Sequence, residues 1–360
     1  MNSTFRISCI ALLLAFSPGT KAQETPTTAN RLEGKTIRAM CQNPKSLGTF
    51  YVGLKGKHLG DGFLYSTNNA PGNWAKINQD KPLRPHVADI QALAASPHHG
   101  QTLLAGTWKN GLFKSEDNGI SWDRMWYFPS NDVRSIQFGY QNPELVYVAT
   151  SSHGIVKTND RCRSWKVCTP ATINASFQFA WSVVVDPHND SIVYAATFGQ
   201  GVFKSTDQGE NWQKVLDTKG MVCWDMLVSA GSGKIWAAAS GQGDSTSNIF
   251  TSTDGGDSWE TMTTVPQKGL CQIQVIESKK EDILFVGSWR GGSYQYEKGK
   301  WTHLALVDYP TISEILVNKE QVVFGTWGNG VYALPNKWTS RYKIENIVPP
   351  PPPEHHHHDD

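Results

Sequence analysis

A tryptophan-terminated unit recurs along this chain, and recurrence at a near-constant interval limits the fold before any single strand or helix is assigned. The stretch GTWKNGLFKSEDNGISW (106–122) returns as ATSSHGIVKTNDRCRSW (149–165), ATFGQGVFKSTDQGENW (196–212) and SGQGDSTSNIFTSTDGGDSW (240–259). Looser copies occupy 53–74, 287–301 and 325–338, so seven units close on Trp74, Trp122, Trp165, Trp212, Trp259, Trp301 and Trp338. Their intervals, 37 to 48 residues, are those of a propeller blade or of a helical repeat.

Local pattern separates these two. Upstream of the glycine-rich turns lie β-branched runs such as SVVVDP (182–187), SIVYAAT (191–197), LVYVAT (145–150) and DILFVGS (282–288), bounded by Pro, Asn, Asp or Gly. Such runs are strands. No unit offers a helix-length segment with apolar residues at i, i+3, i+4 and i+7, which disfavours helical solenoids. Each unit reads instead as four strands, for example A at 90–97, B at 102–108, C at 111–116 and D at 121–126. Seven such sheets arranged radially predict an all-β, seven-bladed propeller with four-stranded antiparallel blades. A 360-residue chain exceeds the size at which one core usually splits, but a ring of blades escapes that limit because each blade packs only on its neighbours.

This topology sets the starts of the A strands and the B–C turns on one face, around the mouth of the channel. Counting back from the end of strand B aligns Ile37, Ile90, Val133, Ala180, Cys223, Cys271 and Ile312. Their successors are Arg38, Gln91, Arg134, Trp181, Trp224, Gln272 and Ser313. Asp89, Asp132, Asp225 and Glu314 join them, and the B–C turns add Trp108, Phe198, Trp289 and Trp327, with Lys109, His153 and Arg290 alongside. Aromatic faces with interspersed carboxylates, amides and Arg suit sugar rings or peptide segments, which need stacking surface and a few oriented hydrogen bonds. The candidate ligand-binding set is therefore Arg38, Arg134, Trp181, Trp224, Asp225, Trp108, Trp289, Arg290 and Trp327. For the four equivalent aromatics a second reading stays open, packing against the next blade.

The tail of the unit resembles the Asp-box, S-x-D-x-G-x-x-W, of the BNR-repeat propellers, in SEDNGISW (115–122), TNDRCRSW (158–165), STDQGENW (205–212) and STDGGDSW (252–259). The resemblance implies a C–D hairpin turn on the face opposite the mouth, in which Asp117, Asp160, Asp207 and Asp254 are structural. The chemistry agrees, because Asp accepts local backbone N–H bonds in turns and Gly supplies positive φ. That group includes sialidases, xyloglucanase-type hydrolases, sortilin-type receptors and photosystem II assembly factors. Sialidases are typically six-bladed with an F-R-I-P motif and an arginine triad. Here seven units are counted, FRIS lies at 5–8, and only Arg38, Arg134 and Arg290 are placed for a triad. Xyloglucanase-type enzymes set an acid on each of two facing propellers, and this chain has length for one. Assembly-factor-like proteins match in size and architecture, which implies a non-catalytic scaffold. The alternative is a glycoside hydrolase using two of Asp89, Asp132, Asp225 and Glu314.

Charge and the termini complete the expectations. Lys+Arg 33 against Asp+Glu 32 gives a formal net charge of +1, so there is no electrostatic case for nucleic acid or an anionic membrane. Arg6, the apolar run ISCIALLLAF (7–16) and T-K-A before Gln23 predict a secretory leader over 1–22, and hence a secreted or periplasmic protein. One propeller is expected over 23–345, followed by a Pro- and His-rich tail at 346–360 that cannot bury a core. His355, His356, His357 and His358 are read as a solvated tail, and no cofactor or metal is called for. The partner expected is a protein or carbohydrate, bound by a monomer without membrane insertion. Loss of the leader removes Cys9 and leaves five cysteines, an odd set, of which Cys223 and Cys271 on neighbouring inner strands are the candidate disulfide.

Overall fold

In a computed structural model the chain forms seven four-stranded antiparallel sheets. The structure describes residues 27–28, 32, 34–56, 64–68, 74–77, 89–168, 179–241, 246–262, 269–276, 282–289, 291–304, 311–317 and 321–335. The expected leader, the C-terminal tail, Arg290 and Trp338 lie outside them. Blade 1 is β2–β5 (36–76), blade 2 β6–β9 (90–124), blade 3 β10–β13 (133–167) and blade 4 β14–β17 (180–216). Blade 5 is β18–β21 (222–262), blade 6 β22–β25 (270–304), and blade 7 takes β26–β28 (312–335) from the end of the chain. Its fourth strand is β1 (Thr27–Thr28), with Thr27 opposite Ala333 and Thr28 opposite Tyr332. Blade 7 is thus completed from the N-terminal end of the chain, whereas the repeat unit places its outer strand after Trp338. No helix among the described residues is long and apolar enough to cross a membrane.

The strands follow from their residues. All five residues of β7 (Leu103–Thr107) and of β11 (Val146–Thr150) are buried, as continuous apolar runs require when both sheet faces are covered. In β6 (Ile90–Ala95) burial alternates residue by residue. Ile90, Ala92 and Ala94 are buried, and of the half-buried set Leu93 and Ala95 pack against the core shared with blade 1, while Gln91 lines the channel. Blades approach closely because strand B carries a small residue where the next strand A arrives. A methyl group on Gly106 would collide with Val133 Cγ1 of blade 3. One on Gly325 of blade 7 would lie 2.8 Å from Ile37 Cγ2 of blade 1, so the ring closes with the same kind of contact that Gly53, Gly106 and Gly287 make.

The C–D turns hold the far face. In blade 4, Ser205 Oγ donates to Asp207 Oδ1 (2.8 Å) and accepts from Gly209 N (2.8 Å). Asn211 donates to Asp207 from its amide (2.9 Å) and its side chain (2.7 Å). Asp117, Asp160 and Asp254 accept the corresponding bonds from Ser121, Ser164 and Ser258. Each turn needs two successive residues at positive φ, such as Gln208 (59°) and Gly209 (83°). In blade 3 the second is Cys162 (71°), standing where the other turns have glycine. Lysines of strand C tie these turns together: buried Lys157 Nζ donates to Gln208 O of the next blade (2.7 Å) and to Glu210 Oε1 (2.8 Å).

Candidate functional site at the channel mouth

Near its start every A strand slips by one residue against strand B. The slip falls between Ile37 and Ala39, Ile90 and Ala92, Val133 and Ser135, and Ala180 and Ser182 in the first four blades. It falls between Cys223 and Asp225, Leu270 and Gln272, and Ile312 and Glu314 in the last three. A bulge leaves one residue unpaired and re-aims its side chain. The seven bulged residues are Arg38, Gln91, Arg134, Trp181, Trp224, Cys271 and Ser313, and all seven line one cavity of about 240 Å³ in the channel. The alignment made by counting back from strand B holds for blades 1 to 4 and 7. In blade 5 Val222 stands opposite Ser240 but Cys223 still directly precedes the bulge, whereas in blade 6 Leu270, opposite Ser288, takes the place assigned to Cys271. The path from strand A to strand B is one residue longer there, so Cys271 rather than Gln272 is bulged.

The bulged side chains and the B–C turns build a closed belt. Trp181 meets Trp224 edge to face at 4.6 Å between ring centroids, Trp224 meets Trp289 at 5.6 Å, and Trp289 meets Trp327 at 6.1 Å. The Arg134 guanidinium lies between Trp108 and Trp181, 4.4 and 4.5 Å from their centroids. Arg38 lies 5.0 Å from the Trp327 ring, which Lys55 Nζ also approaches at 4.7 Å. Gln91 completes the circuit by accepting from Arg38 Nη2 (2.7 Å) and Arg134 Nη1 (3.3 Å) while it donates to Asp89 Oδ2 (2.7 Å). Blades 4 to 7 thus contribute an aromatic arc and blades 1 to 3 a polar, cationic one. Trp108 and Trp327 pack sideways on arginines of the next blades and remain 39% and 37% exposed at the mouth.

The four candidate carboxyls fall into two kinds. Asp89 faces Arg38 (3.4 Å) and Asp132 pairs with Arg134 (2.9 Å), so each neutralises a guanidinium of the belt. Asp225 and Glu314 sit with Cys271 in the wall of the cavity, partly open to the lumen but deep in the ring. Burial pushes the Asp225 carboxyl up to about 7, against the amides of Ile273 and Met226 that favour its charged form. Burial also raises Glu314 well above the usual range; the Asp225 charge adds to this and Arg38 opposes it.

Sequence reasoning brought most of this set together, and missed Gln91 as the hub between the arginines and Ser313 as a cavity residue. Their signal was the shared bulge position. The expected Cys223–Cys271 disulfide is not formed. Cys41, Cys162, Cys168, Cys223 and Cys271 are all free and buried. The bulge turns Cys271 Sγ toward Ile312 O (3.2 Å) in blade 7, while Cys223 Sγ faces Asp225 O (3.9 Å) in its own strand. Cys271 is the bulged residue of its strand whereas Cys223 precedes the bulge of its own, so the two sulfurs turn apart.

No protein-family model matches the chain, and no curated protein does. Solved structures do. An ancestral GH74 enzyme superposes with a TM-score of 0.72 at 16% identity, over 89% of this chain and 47% of that one. The GH74 xyloglucanase from Xanthomonas campestris gives 0.66 at 14% identity, over 85% and 53%. This chain therefore spans about half the length of the GH74 enzymes it matches. YCF48 bound to D1 peptide gives 0.60 at 14% identity, over 87% of this chain and 93% of that one. At these identities the likeness shows the propeller fold.

Proposed function

We propose that the channel mouth is a ligand-binding face, and that the chain is a binding propeller which takes a protein or glycan there without chemical conversion. The observation that carries this reading is the belt. Seven bulges, one per blade, deliver unlike side chains to a single opening, and large aromatic and charged groups gathered there suit a ligand that stacks and hydrogen-bonds. Trp108, Phe179 and Trp327, each more than a third exposed, extend the apolar surface beside it. In this reading the C–D turns are the Asp-boxes of a BNR-type scaffold working outside the cytoplasm. YCF48, which matches over nearly its whole length, holds a peptide.

The hydrolase reading draws on the likeness to GH74 enzymes, but it needs two carboxyls able to act as acid and as base or nucleophile. Asp89 and Asp132 are engaged by arginines, and both oxygens of Asp225 accept backbone amides. Glu314 is then left without a second free carboxyl. Glycan and peptide arrays probed with the wild type and with Trp181→Ala/Trp224→Ala test the proposal. The wild type should retain ligands that the folded double variant loses. If the double variant unfolds while its residual folded fraction binds normally, the belt is core and the reading fails. Release of new reducing ends from a bound glycan would replace it with the hydrolase reading.

A further inference from the structure

The channel wall under blades 5 to 7 holds acid without matching base. The cavity exposes two guanidiniums, Arg38 and Arg134, and each is already balanced by its own aspartate, Asp89 and Asp132. Asp225 and Glu314 remain. Asp225 spends both oxygens on the amides of Ile273 and Met226, whereas the Glu314 carboxyl accepts no hydrogen bond among the described residues. Beside it Ser313, a residue only 9% exposed, lines the same cavity, and its Oγ has no hydrogen-bond partner among the described residues. A buried hydroxyl without a partner costs free energy unless something completes it.

We propose that this part of the channel seats a protonated primary amine, with the Glu314 carboxylate and Ser313 Oγ accepting its N–H bonds and the Trp224 and Trp289 rings lining the way out. The proposal deepens the binding reading of the mouth and rests on it. Three features select the ligand chemistry. A primary ammonium brings three donors to the Glu314 carboxylate and Ser313 hydroxyl, beside which the Gln272 and Gln274 amides offer further carbonyl oxygens, and a quaternary ammonium brings none. Tryptophan faces attract cations, and the belt already does this internally, with guanidiniums 4.4 to 5.0 Å from Trp108, Trp181 and Trp327. The described residues hold no group of three His, Cys, Asp or Glu able to ligate a metal ion. An empty site favours the neutral form of Glu314, since burial and Asp225 both oppose its charge and Arg38 is engaged by Asp89 and Gln91. The nearby Cys41 and Cys271 thiols are held neutral by burial. An arriving ammonium stabilises the carboxylate, so Glu314 gives up a proton to solvent as the amine binds.

Titration calorimetry with n-butylamine and with Nα-acetyl-lysine methylamide, at neutral pH in two buffers of different ionisation enthalpy, tests this. Saturable one-to-one binding with proton release is expected. Glu314→Gln should weaken it about tenfold or more, the worth of a hydrogen bond to a charged group, and Ser313→Ala should weaken it less. The Nε-acetylated lysine derivative and tetramethylammonium should bind far more weakly than butylamine. Equal binding of either one, absence of saturable amine binding, or unchanged affinity in folded Glu314→Gln overturns the proposal. If Glu314→Gln does not fold, Ser313→Ala and the ligand series on the wild type still decide it. Glucosamine separates the sources: a preference for it over the lysine derivative assigns the amine to a sugar, the reverse to a peptide, and either supports the site. Array ligands retained through Trp224 by a protein that binds no amine would end this proposal and leave the mouth as the binding face.

Discussion

Carboxyls of one chemical kind do opposite work in this ring, and their surroundings decide which. Asp207 accepts bonds from the side chain and amide of Asn211 and from Ser205, which hold it down to about 2. Hydrogen bonds from Ser164 hold Asp160 at about 2 as well. Stability from these turns is present above the ordinary carboxyl range and is lost as pH falls through about 2. Glu314 behaves inversely. Its carboxyl is raised, so the folded state keeps a proton that the unfolded chain has released, and the associated stability declines as pH rises from about 4.5. The unfolding midpoint of Glu314→Gln, taken relative to wild type, should therefore climb between about pH 4.5 and neutrality. Thermal melts across that interval check this, and a constant difference would show that Glu314 titrates normally. At this scale the sequence told much: Trp181 and Trp224 are large residues where other blades carry polar or charged ones, which is why they stood out. Ser313 and Gln91 did not, since a small hydroxyl or an amide gains its meaning from what surrounds it.

Strands and turns were legible because their signals are local. Three of the β-branched runs became strands B and SVVVDP became strand A of blade 4, and the Ser/Thr-x-Asp tails became C–D turns held by their own side chains. What a repeat pattern cannot show is a bulge, or a connection longer by one residue, and both govern the mouth. The longer connection in blade 6 put Cys271 itself in the bulge while Cys223 precedes its own, and the direction of Cys271 Sγ then removed the disulfide. Size matching between blades is equally silent in one unit and plain across two. Gly106 of blade 2 meets Val133 of blade 3, whereas Ala149 of blade 3 shares a core with Ala180 of blade 4. Gly106→Ala should thus cost about 1–3 kcal/mol by overpacking. Val133→Ala should recover part of that loss, because it recreates the Ala–Ala contact of the next interface. A double-mutant cycle by denaturant unfolding measures the coupling. Simple addition of the two losses would mean that the contact is not shared.

At the scale of the molecule, closure is what makes the mouth. The ring joins blade 7 to blade 1 through Gly325 and Ile37, and blade 7 takes its fourth strand from residues 27–28. Seven bulges can then face one axis although they are spread from residue 38 to residue 313. The blade count was legible in the closing tryptophans, while the N-terminal strand was not, because two threonines carry no repeat signature. The same geometry sets two groups of tryptophans on opposite faces. Trp108, Trp181, Trp224, Trp289 and Trp327 ring the mouth, and Trp122, Trp212 and Trp259 close the turns of the far face, where their Nε1 atoms donate to Gly119, Gly209 and Gly256 carbonyls. Hydroxyl-radical footprinting with a ligand selected on the arrays therefore carries its own internal control. Protection of Trp181, Trp224 and Trp289 with Trp122, Trp212 and Trp259 unchanged is the expected result; protection confined to the far-face tryptophans would contradict a binding role for the channel mouth.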